Sequence, residues 1–317
     1  MYFCKEIHSY SMQIVTDFSQ YDKKPCAATI GSFDGVHKGH LAMLGELRAA
    51  ATAKGLPLMV VTFARHPRML FSDACAPFLL TPLAAKLQLL ESAGVDICVL
   101  LDFDRTMAAM SAAQFMKEVL VARLGVQLLA VGYDHHFGKP APGEGLEQYV
   151  TIGKELGVEV FGAQPFMVGD VAVSSTAVRR ALAAGDVAMA VSLLGHPYTL
   201  SGAVVHGAGI GRQLGFPTAN ISLADKMQML PMDGVYEVDV LICGEQHKGV
   251  MNIGMKPTVN GKERTIEVYI IEFVGNIYGK DIAVTLVRRL RGEQSFDNVN
   301  ALRFQIEVDV ARVKRGI

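Results

Sequence analysis

The first half of the chain alternates short, continuous apolar runs with segments in which apolar residues recur at helical spacing. The apolar runs cover residues 27–30, 58–63, 97–101, 128–132 and 158–161. Continuous apolar character is typical of strands that are buried on both faces of a parallel sheet. The helical segments between them cover 41–51, 82–92 and 112–124, and a glycine soon follows each one. This alternation predicts an α/β domain with a doubly wound parallel sheet.

The pattern changes after residue 186. Strand candidates follow one another there without an intervening helix, separated by turns that contain glycine, at 235–242, 248–253, 265–273 and 281–287. Apolar residues recur at helical steps from 297 to about 313. We therefore predict two domains, an α/β domain over 1–185 and a small antiparallel β-barrel with a C-terminal helix over 186–317.

Composition and charge narrow the possible partners. The 317 residues are 50% hydrophobic, and 30 basic side chains face 31 acidic ones, for a net charge of −1. A nucleic acid or an anionic membrane surface is not an expected partner, because binding either normally needs a basic excess. The five cysteines contain no C-x-x-C pair, and the chain begins without a signal-peptide pattern. A cytoplasmic protein with reduced thiols is the expectation, and the oligomeric state is left open.

The first candidate site follows the apolar run 27–30 and reads Gly-Ser-Phe-Asp-Gly-Val-His-Lys-Gly-His over residues 31–40. Glycines allow close backbone approach to a ligand, and a helix beginning here offers unpaired N–H groups to an anion such as phosphate. His37 and His40 are three residues apart, so both rings can face that anion. Such fixed donors suit nucleotidyl transfer, in which charge develops on phosphate oxygens. H-x-x-H alone is also typical of a surface pair or a loose metal site.

The whole 31–40 string resembles the HxGH nucleotidyltransferases, in the form of their flavin-adenylylating branch. Segments 61–68, 80–86, 132–138 and 174–179 are similar, in the same order, to the prokaryotic bifunctional riboflavin kinase/FAD synthetase family. The resemblance implies that His37 and His40 are catalytic. It also implies nucleotide contacts for Gly31, Phe33, Asp34, Gly35, Gly39, Ser175, Thr176 and Arg179, and flavin contacts for Arg65, His66, Asp134 and Phe137.

The residues of segment 174–179 also have a local interpretation. Ser174, Ser175 or Thr176 can cap a helix that begins there, and Arg179 then lies one turn into it, placed to pair with a triphosphate. On its own, this pattern is equally typical of a helix cap with an exposed arginine.

A second candidate site lies in the barrel half. Thr218 and Asn220 offer neutral oxygens two residues apart, which suits a Mg²⁺ ion that keeps several waters and also touches nucleotide phosphates. Glu267, on a strand candidate, is the right group to accept the proton of a primary alcohol that attacks a γ-phosphate. Glycines over 207–211 let backbone amides approach phosphates. In the alternative interpretation, the Pro-Thr-Ala-Asn stretch over 217–220 is only a turn followed by a strand, and Glu267 is an ordinary strand residue that faces solvent.

The string Gly-x-Gly-Arg-x-Leu-Gly-Phe-Pro-Thr-Ala-Asn over 209–220, followed by 234–236, 265–267, 277–279 and 296–297, resembles the riboflavin kinase domain. The resemblance implies that Thr218 and Asn220 bind the metal and that Glu267 is the base. It places Gly207, Gly211, Arg212 and Thr218 on the nucleotide. The chain departs from the family pattern at 139–143, Val259 and Tyr269, and we expect these departures to affect flavin or triphosphate contacts more than the type of reaction.

The expected function is therefore phosphorylation of riboflavin to FMN and adenylylation of FMN to FAD, both with ATP and Mg²⁺. Two alternatives remain at this stage. Only one of the two activities is retained, or the chain is a non-catalytic carrier of flavin nucleotides.

Overall fold

The computed structural model describes residues 11–18, 21–67, 78–133, 137, 145–207, 209–258 and 261–316. Within these residues the chain forms two compact units. The α/β unit contains the described parts of His8–Ala76 and Thr81–Ser175, and the barrel unit contains those of Pro77–Leu80 and Thr176–Ile317. The units divide at Thr176. The domain boundary predicted from the sequence follows Gly185, nine residues later. The two predicted domains stay a prediction.

The α/β unit is built on a six-stranded parallel sheet. Its strands are β1 (Gln13–Val15), β2 (Cys26–Ile30), β3 (Leu58–Phe63), β4 (Ile97–Leu101), β5 (Val126–Val131) and β6 (Glu159–Gly162), in the spatial order β1-β4-β3-β2-β5-β6. All the strand pairs are parallel. Every residue of β2, β3 and β4 is buried, which confirms that their continuous apolar runs are strands covered on both faces.

The helices of this unit are α1 (Lys38–Ala53), α2 (Leu83–Ser92), α3 (Arg105–Ala109), α4 (Ala112–Phe115) and α5 (Leu146–Leu156). A π-helical segment, Met116–Val121, continues α4. The predicted helix 112–124 is therefore two segments with different hydrogen bonding, and the capping box of Ser111 and Gln114 begins the first of them. A small hairpin follows, made of β7 (Met167–Val168) and β8 (Val171–Ala172). Helix α6 (Ser175–Ala183) then begins at the predicted capping site.

The barrel unit closes six antiparallel strands. They are β9 (Thr199–Val205), β10 (Thr218–Leu223), β11 (Gly234–Ile242), β12 (Glu245–Thr258), β13 (Gly261–Ile270) and β14 (Asp281–Arg291), in the order β10-β13-β12-β11-β14-β9. The predicted antiparallel barrel is confirmed, with two further strands, β9 and β10, that the pattern analysis did not identify. Helices α7 (Val187–Leu194), α8 (Ile210–Gln213) and α9 (Val299–Arg315) complete the unit.

Helix α9 packs on the barrel through Val310 and Val313, which share an apolar cluster with Val235 and Val250 of the strands. An ion pair supports this contact. Arg291 at the end of β14 donates from Nη2 and Nε to Oδ2 of Asp309, at 2.8 and 2.9 Å. Because the Asp309 carboxylate is only 1% exposed, it needs this partner to remain charged inside the protein.

Candidate active sites

The α/β unit places residues 31–40 where such sheets bind ligands. The chain moves from β2 to β3 on one side and reaches β5 on the other, so the strand order reverses between β2 and β5. Ligands of doubly wound sheets bind outside the carboxyl ends of the strands at this reversal. Loop 31–37 leaves the carboxyl end of β2 and leads directly into α1. The predicted anion site therefore lies in the expected crevice.

Loop 31–37 has a strained backbone that is buried. Phe33 and Val36 have positive φ angles of 49° and 37° although neither is glycine, and both side chains are fully buried. Gly35 lies between them with φ 88°. Such conformations cost about 1–3 kcal/mol each and persist only where the surroundings enforce them. The loop is therefore held in shape by contacts outside itself.

Two hydroxyl-bearing residues supply part of that support. Thr81 accepts a hydrogen bond from the Gly35 N–H at 3.0 Å, and its own N–H donates to Oδ1 of Asp34 at 3.2 Å. Ser175 donates from Oγ to the Asp34 carbonyl at 2.8 Å. Asp34 is only 3% exposed. Of the predicted nucleotide-binding residues, Asp34, Gly35 and Ser175 thus lie together.

The two histidines lie against each other at the N-terminus of α1. Nδ1 of His37 caps the helix by accepting the His40 N–H at 3.3 Å. Their rings stack with centroids 3.6 Å apart and 14° between planes, and the Phe33 ring lies 4.8 Å from His40. Because Nδ1 of His37 is an acceptor, a neutral His37 carries its proton on Nε2. The pair thus offers ring N–H groups at the positive end of a helix, which suits a phosphate.

Two glycines of this string are close to the aromatic groups. A side-chain carbon added to Gly39 would lie 3.2 Å from Nδ1 of His37 and from the Val173 carbonyl. One added to Gly31 would lie 3.3 Å from the Phe33 ring. Both positions therefore favour glycine for space.

The predicted flavin contacts differ in their exposure to solvent. Arg65 is exposed just beyond the carboxyl end of β3, and His66 follows it, partly buried. Phe137 is 7% exposed in the apolar core, where its ring stacks on Tyr149 at 4.4 Å. Asp134 and the 139–143 departure lie outside the described residues. The roles of all four predicted flavin contacts stay predictions.

Thr176 and Arg179 belong to the barrel unit by their packing. Nε of Arg179 donates to the Phe78 carbonyl at 2.8 Å, and the guanidinium lies 5.8 Å from the centre of the Phe78 ring. Their contact with a nucleotide stays a prediction.

The barrel site is built across three neighbouring strands. Glu267 of β13 stands opposite Asn220 of β10 on one side and Asn252 of β12 on the other. Residues directly opposite in an antiparallel sheet point to the same face, so the carboxylate lies between two side-chain amides. Its Oε2 accepts a hydrogen bond from Oγ1 of Thr218 at 3.1 Å. The structure thus brings the predicted base and the predicted metal ligands together.

The glycines of the barrel site fit closely around the same residues. A side-chain carbon at Gly207 would lie 2.1 Å from Nδ2 of Asn220, and one at Gly211 would lie 2.4 Å from the Phe216 carbonyl. Arg212 donates to the Tyr278 hydroxyl at 3.2 Å, and the Tyr278 ring stacks on His206 at 3.9 Å. The predicted nucleotide contacts Gly207 and Gly211 therefore border the site, and the contact of Arg212 with a nucleotide stays a prediction.

The oxygens of Thr218, Asn220 and Glu267 fit a Mg²⁺ ion, which prefers hard oxygen ligands and keeps several waters. No group of three or more histidine, cysteine or acidic side chains able to hold a metal occurs among the described residues.

A cavity of about 340 Å³ opens beside Glu267. Its walls include Phe216 and Tyr269, whose rings meet edge to face at 5.3 Å, and residues of α9. Asn252 and Arg291 also line it. Neither residue was predicted from the sequence, although Asn252 is a polar residue inside the apolar stretch 249–253, which was the available signal. Tyr269, a predicted departure, thus lies in the cavity wall, and Val259 lies outside the described residues.

Comparisons with known proteins match the two parts of the chain to two different family models. The family model for FAD synthetase matches residues 19–177, and the model for riboflavin kinase matches residues 194–317. The chain is 43% identical over 296 residues to the bifunctional riboflavin kinase/FMN adenylyltransferase of Escherichia coli (strain K12), covering 93% of this chain and 94% of that protein. It is 36% identical over 284 residues to the protein of the same name from Bacillus subtilis (strain 168), covering 88% and 89%.

A crystal structure described as a macrolide-efflux protein from Streptococcus pneumoniae is also similar, with a TM-score of 0.85, 30% sequence identity and coverage of 96% of this chain and 98% of that one. Across the described ranges, no helix has both the length and the apolar character needed to cross a membrane. On the two domain matches and the two curated relatives, the chain belongs to the family of bifunctional riboflavin kinase/FMN adenylyltransferases.

Proposed function

We propose that the barrel unit phosphorylates riboflavin to FMN and that the α/β unit transfers AMP from ATP to FMN, which gives FAD and pyrophosphate. One observation carries the proposal: in each unit the reacting groups of the matching family domain are in mutual contact. His37 stacks on His40 in one unit, and Thr218 bonds to Glu267 in the other.

In the kinase reaction, the primary hydroxyl of riboflavin attacks the γ-phosphorus of ATP, the bond from that phosphorus to the bridging oxygen breaks, and ADP leaves. Glu267 accepts the proton of that hydroxyl, and the Thr218 hydroxyl orients its carboxylate. Asn220 and Thr218 would hold Mg²⁺, which neutralises the charge of the phosphates when bound. The cavity beside Glu267 receives the flavin, with Phe216 and Tyr269 as its aromatic wall. The amides near Gly207 and Gly211 and the Arg212 guanidinium contact the phosphates.

In the adenylyl transfer, an oxygen of the FMN phosphate attacks the α-phosphorus of ATP, and the bond to the pyrophosphate breaks. The loop amides, the N-terminus of α1 and ring N–H groups of His37 and His40 stabilise the charge that develops on the phosphate oxygens. Bound to the phosphates of ATP, Mg²⁺ would supply the same charge neutralisation as in the kinase reaction. No covalent intermediate on the protein is required, because both substrates bind side by side.

The remaining predicted residues of the α/β site bind the nucleotide and the flavin. Gly31, Gly35 and Gly39 let the backbone approach the nucleotide, and Phe33 and Asp34 shape the loop. Ser175, Thr176 and Arg179 extend the nucleotide site. Arg65, His66, Asp134 and Phe137 serve the flavin, with the buried Phe137 acting through shape. We place both reactions in the cytoplasm, which agrees with the free buried thiols of Cys26 and Cys98.

Incubation with riboflavin, ATP and Mg²⁺, followed by chromatographic separation of FMN and FAD, tests the proposal. We expect both products, with pyrophosphate released in proportion to FAD. A second incubation that starts from FMN isolates the adenylyl transfer from the kinase step. FMN without FAD, or FAD only from added FMN, would instead show that one activity is retained. Stoichiometric retention of FAD without release of pyrophosphate would identify a carrier.

A further inference from the structure

A buried lysine lies behind the α/β site and has no role in the two reactions described above. Lys86 belongs to α2 and is 8% exposed. Its Nζ donates three hydrogen bonds, each 3.2 Å long, to the Ser32 carbonyl, to Oγ1 of Thr62 and to the Phe63 carbonyl. All three acceptors are neutral. A buried charge without a bonded counterion is costly, so this arrangement calls for an explanation beyond packing.

The acceptors show which parts of the structure Lys86 ties together. Thr62 and Phe63 end strand β3, and Ser32 belongs to the loop that leaves the neighbouring strand β2. Thr62 is fully buried and donates its hydroxyl proton to the same Ser32 carbonyl at 3.1 Å. Helix α2, through Lys86, and the end of β3, through Thr62, therefore both hydrogen-bond to the Ser32 carbonyl of the loop.

Ser32 precedes the strained part of the loop. Its neighbour Phe33 has the positive φ angle, and Val36 repeats that conformation just before His37. The hydrogen bonds of Thr81 and Ser175 fix the loop at Asp34 and Gly35, whereas those of Lys86 and Thr62 fix it at Ser32. The contact from Lys86 is therefore placed to oppose relaxation of Phe33 toward a negative φ angle.

We propose that Lys86 is a positioning residue for the adenylyl transfer, because it holds the Ser32 carbonyl and so keeps residues 31–40 in the conformation that places His37 and His40. This inference rests on the proposed function of the α/β unit. Lys86 does not touch the substrates in this role, since its three hydrogen-bond donors are directed at protein acceptors. Burial lowers the pKa of Lys86, while the nearby Asp34 carboxylate acts in the opposite direction and favours the charged form.

The test is Lys86→Met in the full chain, which keeps the length of the side chain and removes its donors. We expect kcat for FAD formation to fall about tenfold to a hundredfold, more than KM for ATP rises, because small displacements of reacting groups cost rates of this order. FMN formation by the same molecules should stay within about twofold. The matched control is Lys54→Met, since Lys54 is exposed and makes only a surface pair with Glu159.

A second measurement does not depend on activity. Amide hydrogen exchange of the peptide that covers residues 31–40 should be faster in Lys86→Met than in the parent or in Lys54→Met. A chain that forms no FAD even without mutation would refute the proposed function, and this exchange measurement would still decide the role of Lys86.

Unchanged kcat for FAD formation, or unchanged exchange of residues 31–40, in folded Lys86→Met would overturn the proposal. If that variant does not fold, Lys86→Gln, which keeps two N–H donors on a shorter side chain, takes its place. A smaller fall in kcat for FAD formation and a smaller rise in the exchange of residues 31–40 are then expected, because part of the hydrogen bonding is retained. Loss of folding in both variants, or a parallel loss of both reactions, would make Lys86 a structural residue and would equally overturn the proposal.

Discussion

The two candidate sites are built from different parts of the polypeptide. In the α/β unit the site is a backbone feature, a buried loop with two non-glycine residues at positive φ that leads into the N-terminus of α1. In the barrel the site is a strand-face feature, a glutamate set between two asparagines by the register of three strands. The geometry of the α/β site therefore depends on the residues that hydrogen-bond to its loop. The geometry of the barrel site depends on the side chains next to the Glu267 carboxylate.

The largest expected effect separates the two sites completely. His40→Ala should lower kcat for FAD formation about a thousandfold and leave FMN formation unchanged, because a fixed donor to developing phosphate charge is lost. Glu267→Gln should do the reverse by a similar factor, because the general base is lost. The measurement is the rate of each product from its own substrate, riboflavin or FMN, with saturating ATP.

Residues of the same kinds outside the two sites serve as controls for this pair. His196→Ala and Glu245→Gln should leave both rates within about twofold, because His196 is only partly buried, Glu245 is exposed, and neither lines the cavity or belongs to residues 31–40. If either active-site change abolished both reactions in folded protein, the assignment of one reaction to each unit would be wrong.

Alanine at the glycines should sharpen the comparison. Gly207→Ala puts a carbon 2.1 Å from the Asn220 amide, so that side chain must move, and we expect FMN formation to fall about a hundredfold. Gly39→Ala puts one 3.2 Å from the His37 ring, a contact that a shift of a few tenths of an ångström relieves. FAD formation should then fall only about tenfold.

The control for both glycine variants is Gly45→Ala in α1, where nothing lies within 4 Å of the added carbon. It should retain both activities and gain about 0.5–1 kcal/mol of helix stability. Equal losses for Gly207→Ala and Gly39→Ala would contradict the idea that the barrel site is the more closely packed around its side chains.

The buried ion pair of the barrel predicts a loss of stability rather than of chemistry. Asp309→Ala leaves Arg291, whose side chain is 14% exposed, without its partner and should lower the free energy of unfolding of the barrel unit by about 3 kcal/mol. Amide exchange of the β14 and α9 peptides measures this. Because Arg291 lines the cavity, KM for riboflavin should rise while FMN adenylylation is unchanged.

Helix α9 contains its own control for that experiment. Glu307 pairs with Arg303 four residues away on the exposed face, at 3.1 Å. Glu307→Ala should change stability by less than about 0.5 kcal/mol. A comparable loss in both variants would show that the helix, and not the buried pair, limits stability.

The same contrast explains how much of the structure could be predicted from the sequence. Strands β2, β3 and β4 are continuous apolar runs, so local pattern was sufficient. Strands β9 and β10 were missed because glycine, serine and asparagine interrupt their apolar positions. Each also pairs with a strand that is distant in the chain, β9 with β14 and β10 with β13. The π-helical continuation of α4 was also missed, since its apolar spacing resembles that of an α-helix.

For the sites, motif order predicted the residue types, and the resemblance supplied their proposed roles. The contact between Thr218 and Glu267 could not be derived, because it depends on the register of β10 and β13 across 49 positions. Asn252 was not identified as part of the barrel site for the same reason. Lys86 lies in the segment 80–86 that carries the resemblance, but its contact with the Ser32 carbonyl depends on the tertiary structure and could not be derived from the sequence.

The smallest expected effect concerns the thiols of the two units. Burial raises the pKa of Cys26 and of Cys98 to about 12, so at pH 8 only about one molecule in ten thousand carries either thiolate. Cys243 is exposed in the turn between β11 and β12. Alkylation with iodoacetamide at pH 8, followed by peptide mapping, should therefore label Cys243 and spare Cys26 and Cys98. Both activities should stay within about twofold, because the labelled turn joins strands at a point that contributes no residue to the cavity. Labelling of Cys26 or Cys98 before Cys243 would mean that the sheet of the α/β unit opens more readily than its complete burial implies.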